Sequence, residues 1–246
     1  MGVILITFEL FTDKGNREIN EDSIGATEHD GSYLFALADG LGGHGKGEVA
    51  SAIAVNTAMA IFTENYNSDF ISSSMNAIQD EILKRQQESF SYADMKTTMV
   101  SLTIDSSGKA RWGHIGDSRL YHFRKTRLKE RTLDHSVPQM LVSIGEIKEK
   151  DIRHHEDRNR LLRVLGTPWN DKSFELSSDV QLKKDDSFLL CSDGFWEFID
   201  EKTMIQFLKK SKTVNEWMTL MVEEVKKNGQ GSNMDNNSAI AVWVRA

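Results

Sequence analysis

Proline and cysteine are almost missing from this chain. Among 246 residues there are two prolines and one cysteine, Cys191. A lone thiol excludes a disulfide framework and a thiolate metal cluster, and it fits a reducing compartment. There is no Gly/Ser/Pro linker, no repeat of fixed period and no low-complexity stretch, so a single domain over residues 1–246 is expected. No apolar run is long enough to span a bilayer. The apolar start, Val3-Ile4-Leu5-Ile6, is too short for a signal-peptide core and has no basic leader. Ile6 stands where a myristoylation signal needs Ser or Thr. Basic charge is also short: 30 Lys and Arg against 37 Asp and Glu leave a net charge of -7. Phosphate-backbone binding needs a basic face, so nucleic acid is excluded as the main ligand. These absences predict a cytoplasmic protein that neither spans a membrane nor reads nucleic acid. A core, by contrast, is amply provided for, with 39% apolar residues, twelve Phe and five Trp.

Apolar periodicity sets out the elements. Val3 to Phe11 reads as a strand, followed by a polar loop. Tyr33 to Ala38 is a continuous apolar run, the pattern of a strand buried on both faces. A glycine-rich turn leads to a helix from about Gly47 to Phe62. Ser68 is the expected cap of a second helix, whose face Ile71, Met75, Ile78, Ile82 follows the helical period. Thr98 to Ile104 and Ala110 to Ile115 form a hairpin across Ser106-Ser107-Gly108. Leu120 to Phe123, Arg127 to Lys129, Phe188 to Cys191 and Ala239 to Val244 are further strands. Thr213 and Glu216 mark a capping box before a helix carrying Trp217, Met218 and Met221. Strands come in hairpin groups with few helices between them, which argues against βαβ winding and for two antiparallel sheets flanked by helices.

Aspartates recur at the ends of these strands. Asn20-Glu21-Asp22, Asp39-Gly40-Leu41-Gly42-Gly43-His44, Gly116-Asp117-Ser118-Arg119, Ser192-Asp193-Gly194 and Asp235-Asn236-Asn237 all fit that description. Each alone is weak, since an isolated Asp-Gly is usually a turn. Their joint occurrence is the informative feature. Two bare carboxylates ~4 Å apart repel by roughly 4 kcal/mol at an effective dielectric near 20. Converging aspartates therefore protonate or enclose a cation, and an all-oxygen donor set suits Mg²⁺, Mn²⁺ or Ca²⁺. Gly40 and Gly194 are read as allowing sharp turns after the strands. A cation pair about 3.5–4 Å apart activates water against phosphorus, without a nucleophilic side chain. Arg17 has the planar fork to grip a phosphate.

These motifs resemble those of the metal-dependent protein phosphatases (PPM, or type 2C, serine/threonine phosphatases), in their compact bacterial form. Arg17 to Asp22, Ala38 to His44, Gly116 to Arg119, Leu133-Asp134-His135-Ser136, Arg158-Asn159 before Leu165-Gly166, Leu190 to Gly194, and Asp235-Asn236 carry the resemblance across nearly the whole chain. It implies an α+β fold, a four-layer αββα sandwich of two antiparallel sheets flanked by helix pairs. It also implies two Mn²⁺ or Mg²⁺ per chain and a weaker third. By position, Asp39 would bridge the two cations and Gly40 would lend its carbonyl. Asp193 and Asp235 would bind the second, and Asp22 would act nearby through water. Asp117 with Asp193 would hold the third. Arg17 would bind phosphate, with His44 a second candidate for substrate contact, and residues 134–165 would form a flap. The substrates would be phosphorylated proteins, the counterpart a Ser/Thr kinase, and the oligomeric state a monomer. Two departures stand out. Leu41 occupies the position of a proposed general acid, a His, in animal members, which leaves that acid open. The common Gly-Thr-Thr reads Lys96-Thr97-Thr98. All the metal carboxylates are present, which disfavours a non-catalytic binding module on the same fold.

Other residues are read as bland. Cys191 lacks the Arg that a cysteine phosphatase needs six residues on, where Glu197 stands, and is expected in a strand core. His154-His155 are placed on a flap helix facing solvent or substrate. Asp185-Asp186 is read as a turn, and Ser23 and Ser192 as having no base partner.

Overall fold

The computed structural model describes residues 5–41, 46–169 and 173–245. Its elements, in chain order, are β1 (Leu5–Asp13), β2 (Asp22–His29), β3 (Ser32–Asp39), α1 (Gly47–Asn65), α2 (Phe70–Glu88), β4 (Met99–Ile104), β5 (Lys109–Ile115), β6 (Arg119–Arg124), β7 (Arg127–Arg131), α3 (Val137–Ser143), β8 (Glu175–Leu176), β9 (Val180–Gln181), β10 (Asp186–Cys191), α4 (Asp193–Trp196), α5 (Glu201–Lys210), α6 (Val214–Asn228) and β11 (Asn237–Arg245). The first sheet runs β1-β11-β10-β6-β7, and the second β2-β3-β4-β5-β8 with β9 also on β5. Every pairing is antiparallel.

Side-chain alternation shows how the layers stack. Along β11, Ile240, Val242 and Val244 face one core, and Ala239, Ala241 and Trp243 another. Along β3, Phe35 and Leu37 join the first of these, whereas Leu34, Ala36 and Ala38 point the other way. The shared core thus lies between the sheets. The outer faces are covered by α5 and α6 on one side (Met204, Leu208, Trp217, Met221) and by α1 and α2 on the other (Ala54, Phe62, Met75, Ile78). The result is the four-layer αββα sandwich. The continuous apolar runs of β3, β4, β10 and β11 follow directly, because each of these strands is buried on both faces.

Several expectations are corrected. Strand β2 was read as polar loop: Gly25, Thr27 and Glu28 break its alternation, and it sits at a sheet edge, where Gly25 makes room for Val55 of α1. Helix α5 was not among the expected elements although its sequence marks it: Asp200 caps it by accepting Thr203 N–H at 2.7 Å, and Met204, Phe207 and Leu208 share one apolar face. Ser68 does not cap α2. Asp69 flanks that helix, and its N–H goes to Asn67 Oδ1 at 2.9 Å. Thr213 does cap α6, but Glu216 reaches back to Lys212 N–H rather than to Thr213. Asp185 lies in the expected turn, but Asp186 does not. It opens β10, fully buried, and takes two bonds from Arg124 at 2.7 and 3.0 Å.

Antiparallel register gathers the motif ends. Asp22 pairs with Asp39 across β2 and β3. Cys191 pairs with Ala239, so the exit of β10 and the approach to β11 lie together. The β5–β6 connection, which carries Asp117, passes from one sheet to the other. The apolar patterning thus delivers five aspartates to one end of the sandwich.

Candidate active site

A cleft of about 250 Å³ opens at that end. Asp39, Gly40, Asp117, Asp193 and Asp235 line it, with Arg17, Glu21, Leu41, Asn159, Leu161 and Asn236. Asp22 is not among the lining residues. It is buried behind them, where Ser192 Oγ donates to its Oδ2 at 2.9 Å and its Oδ1 has no partner among the described residues. His44, Gly42 and Gly43 lie outside the described residues.

The backbone of Asp39 is fixed by the start of β4. Thr98 Oγ1 accepts its N–H at 3.0 Å, and its carbonyl accepts Thr98 N–H and Thr97 Oγ1–H, both at 2.8 Å. These threonines are the retained part of the Gly-Thr-Thr pattern. The altered position, Lys96, offers its carbonyl to Leu41 N–H at 2.9 Å, a contact that any residue type makes. The glycines have a different reason from the one expected. Neither Gly40 nor Gly194 has a positive φ. A β-carbon at Gly40 would overlap the Gly47 carbonyl, and one at Gly194 the Asn236 carbonyl. Close crossing of backbones, not a turn, demands glycine at both.

The carboxyls burden one another. Burial first, then Asp22 and Asp193, pushes Asp39 well above the ordinary carboxylate range. Burial and Asp193 do the same to Asp117. Burial and Asp235 raise Asp193, which lies within hydrogen-bonding reach of Asp39. Burial pushes Asp22 up to about 7 despite its serine hydrogen bonds. Of the nearby arginines only Arg17 meets a cleft carboxylate among the described residues. Arg119 binds Asp134 at 2.6 and 2.8 Å, and Arg158 binds Glu197 at 2.8 Å. Arg17 holds Asp235 at 2.6 Å on the rim of the cleft. An oxygen-only cluster whose carboxyls are made weaker acids by burial and mutual repulsion, with a carboxylate oxygen lacking a partner among the described residues, fits a hard divalent cation.

Sequence reasoning missed Glu21 and Asn236 as builders of the site. Asn236 Oδ1 accepts Glu21 N–H at 2.8 Å, while its Nδ2 donates to the Lys14 and Ile19 carbonyls at 2.9 and 3.0 Å. It ties the loop of Arg17 to that of Asp235. The adjoining Asn20-Glu21 and Asp235-Asn236 motifs were the available signal. Ser192, read as having no base partner, instead donates to the Asp22 carboxylate at 2.9 Å, whereas three other bland readings agree with the structure. Cys191 is fully buried, which pushes its thiol far up. Trp217 and Met221 are core, and His154 faces solvent.

A family model described as protein phosphatase 2C matches residues 14–234. The chain is similar to the serine/threonine phosphatase stp of Listeria monocytogenes, 30% identical over 236 residues that span 92% of each chain. Among solved structures it is similar to the serine/threonine phosphatase Stp1 of Staphylococcus aureus. That likeness has a TM-score of 0.89, 26% identity, and coverage of 98% of this chain and 96% of the other. It is also similar to the catalytic domain of the serine/threonine protein phosphatase PstP in complex with two manganese ions. There the TM-score is 0.83 and the identity 26%, over 99% of this chain and all of that one.

Proposed function

The chain belongs to the protein phosphatase 2C family and is a metal-dependent serine/threonine protein phosphatase, and we propose how its own residues divide that work. The cleft floored by Asp39, Asp117, Asp193 and Asp235 carries the proposal. Asp39, with the Gly40 carbonyl beside it, would be shared by two Mn²⁺ or Mg²⁺, and Asp193 and Asp235 would help hold the second. Asp22, set behind the lining, would orient rather than touch them. Asp117 and Asp193 would hold a weaker third ion. The chemistry the cations supply when bound is water activation and neutralisation of phosphate charge.

Arg17 grips the phosphate oxygens of a phosphoserine or phosphothreonine side chain, exchanging its Asp235 partner for them. Leu41 lines the cleft and holds no proton. As water attacks phosphorus and the ester P–O bond breaks, the leaving alkoxide therefore takes its proton from a water or a nearby acid other than residue 41. A polar, open cleft suits a protein side chain presented at the surface. The described helices include none long and apolar enough to cross a membrane. A cytoplasmic monomer opposing a Ser/Thr kinase is the setting we infer.

Asp39→Asn or Asp193→Asn is expected to abolish Mn²⁺-dependent hydrolysis of a phosphopeptide while circular dichroism stays unchanged. Normal turnover by either purified variant refutes the assignment. For the kinase, phosphoproteomes of a deletion strain and an Asp193→Asn strain should show the same Ser/Thr sites accumulating. No shared sites would contradict it.

A further inference from the structure

His114, His135 and Glu175 bring potential ligand atoms within 4.8 Å of one another, outside the cleft. The hydrogen bonds rule against a cation there. His135 Nδ1 accepts the Gly116 N–H at 3.2 Å. The ring is neutral, pushed down to about 3 by burial and by His114, so its proton sits on Nε2. Among the described residues that nitrogen has no hydrogen-bond partner, lying 3.5 Å from Glu175 Oε1, too far for a good hydrogen bond. The imidazole is thus an acceptor aimed at one backbone amide.

That amide precedes Asp117. The His135 main chain grips the same residue from the other side, its N–H donating to the Gly116 carbonyl at 2.9 Å. Gly116 has φ +97, and a β-carbon there would meet Thr98 at 2.5 Å, so only glycine fits at this position. Downstream of Asp117, Arg119 is held by Asp134, the neighbour of His135. Trp196 Nε1 donates to the Asp117 carbonyl at 3.0 Å.

We propose that His135 is a positioning residue for Asp117: by clasping Gly116 through both its ring and its backbone, it aims the Asp117 carboxylate into the cleft and sets the affinity of the weakest cation. The proposal rests on the reading of Asp117 as a ligand of a third ion. Residues that orient ligands from behind typically change metal affinity about 10–100-fold when removed.

Asparagine places its amide oxygen near the position of Nδ1, while glutamine carries its amide too far out. Mn²⁺ titrations by calorimetry and electron paramagnetic resonance should therefore separate His135→Asn from His135→Gln and His135→Ala. Gln and Ala should weaken the last binding step about 10-fold or more and leave the tighter steps within about twofold. Asn should restore it. In an Asp117→Asn background the same changes should add nothing. Amide exchange at Gly116 and Asp117 in the cation-free protein should quicken in the Gln and Ala variants alone. An unchanged last step in the Gln variant, or equal loss in the Asn and Gln variants, overturns the proposal. Uniform weakening of every step overturns it too, by marking a general loss of structure. Wild-type protein showing no Mn²⁺ step at all would instead overturn the phosphatase reading, and this proposal with it.

Discussion

Replacing Asp22 by Asn should make the cation-free protein more stable, not less. Asp22 is pushed to about 7 from an ordinary 3.8, chiefly by burial. Below pH ~4 it is protonated in both folded and unfolded chains, and its contribution is fully present. As pH climbs from about 4 to 7, the unfolded chain releases a proton that the folded one keeps, and stability falls. Above pH ~7 the penalty is complete, at roughly 4 kcal/mol for three decades of acidity. Asparagine keeps an acceptor for the Ser192 hydroxyl and carries no charge. In EDTA at pH 8 the variant should therefore exceed wild type by a few kcal/mol, with the gap closing towards pH 4.5. Urea unfolding followed by tryptophan fluorescence at several pH values measures this directly. With Mn²⁺ at a hundred times its dissociation constant, wild type should regain ~2.7 kcal/mol and the order should narrow or reverse. A variant that is less stable than wild type at pH 8 in EDTA, or a gap independent of pH, would falsify the view of this pocket as electrostatically strained.

Gly40→Ala should lower both melting temperature and activity, because the added methyl has no room beside Gly47; a cost of about 1–3 kcal/mol is expected, readable by thermal melts. Arg17→Ala should raise the inhibition constant for inorganic phosphate at least about tenfold, and Arg17→Lys should recover only part of that, since an ammonium lacks the two-pronged fork. Arg124→Ala should destabilise by roughly 3–5 kcal/mol, because Asp186 is left buried with its main partner gone, while kcat at low temperature stays near wild type. Asp186 is held below its ordinary range by hydrogen bonds from His122 and Arg124, which outweigh its burial. Its contribution is present above pH ~4 and lost as pH falls further, so acid melts should converge for wild type and Arg124→Ala.

The layers were legible because double-sided burial writes itself as unbroken apolar runs in β3, β4, β10 and β11. Strand β2 was hidden because an edge strand half-covered by one helix needs no strict alternation; α5, by contrast, was legible in its Asp200 cap and the apolar face of Met204, Phe207 and Leu208. The aspartates announced themselves by position at strand ends. What supports them did not. Thr97 and Thr98 act through hydroxyls on the Asp39 backbone, and Asn236 through three backbone partners; such bonds link residues far apart in sequence, so the motifs that carry them do not reveal what they support. The glycines beside Asp39 and Asp193 were spotted for the wrong reason, since clearance between chain segments cannot be told from turn chemistry without coordinates.

Asp22 and Asp39 belong to one sheet, Asp193 and Asp235 flank strands of the other, and Asp117 rides the segment that joins them. Ions bound among them would rivet the two leaves of the sandwich at one edge. A newly made chain would then be unable to hold its metals until both leaves had met, and catalysis would switch on only in a finished molecule.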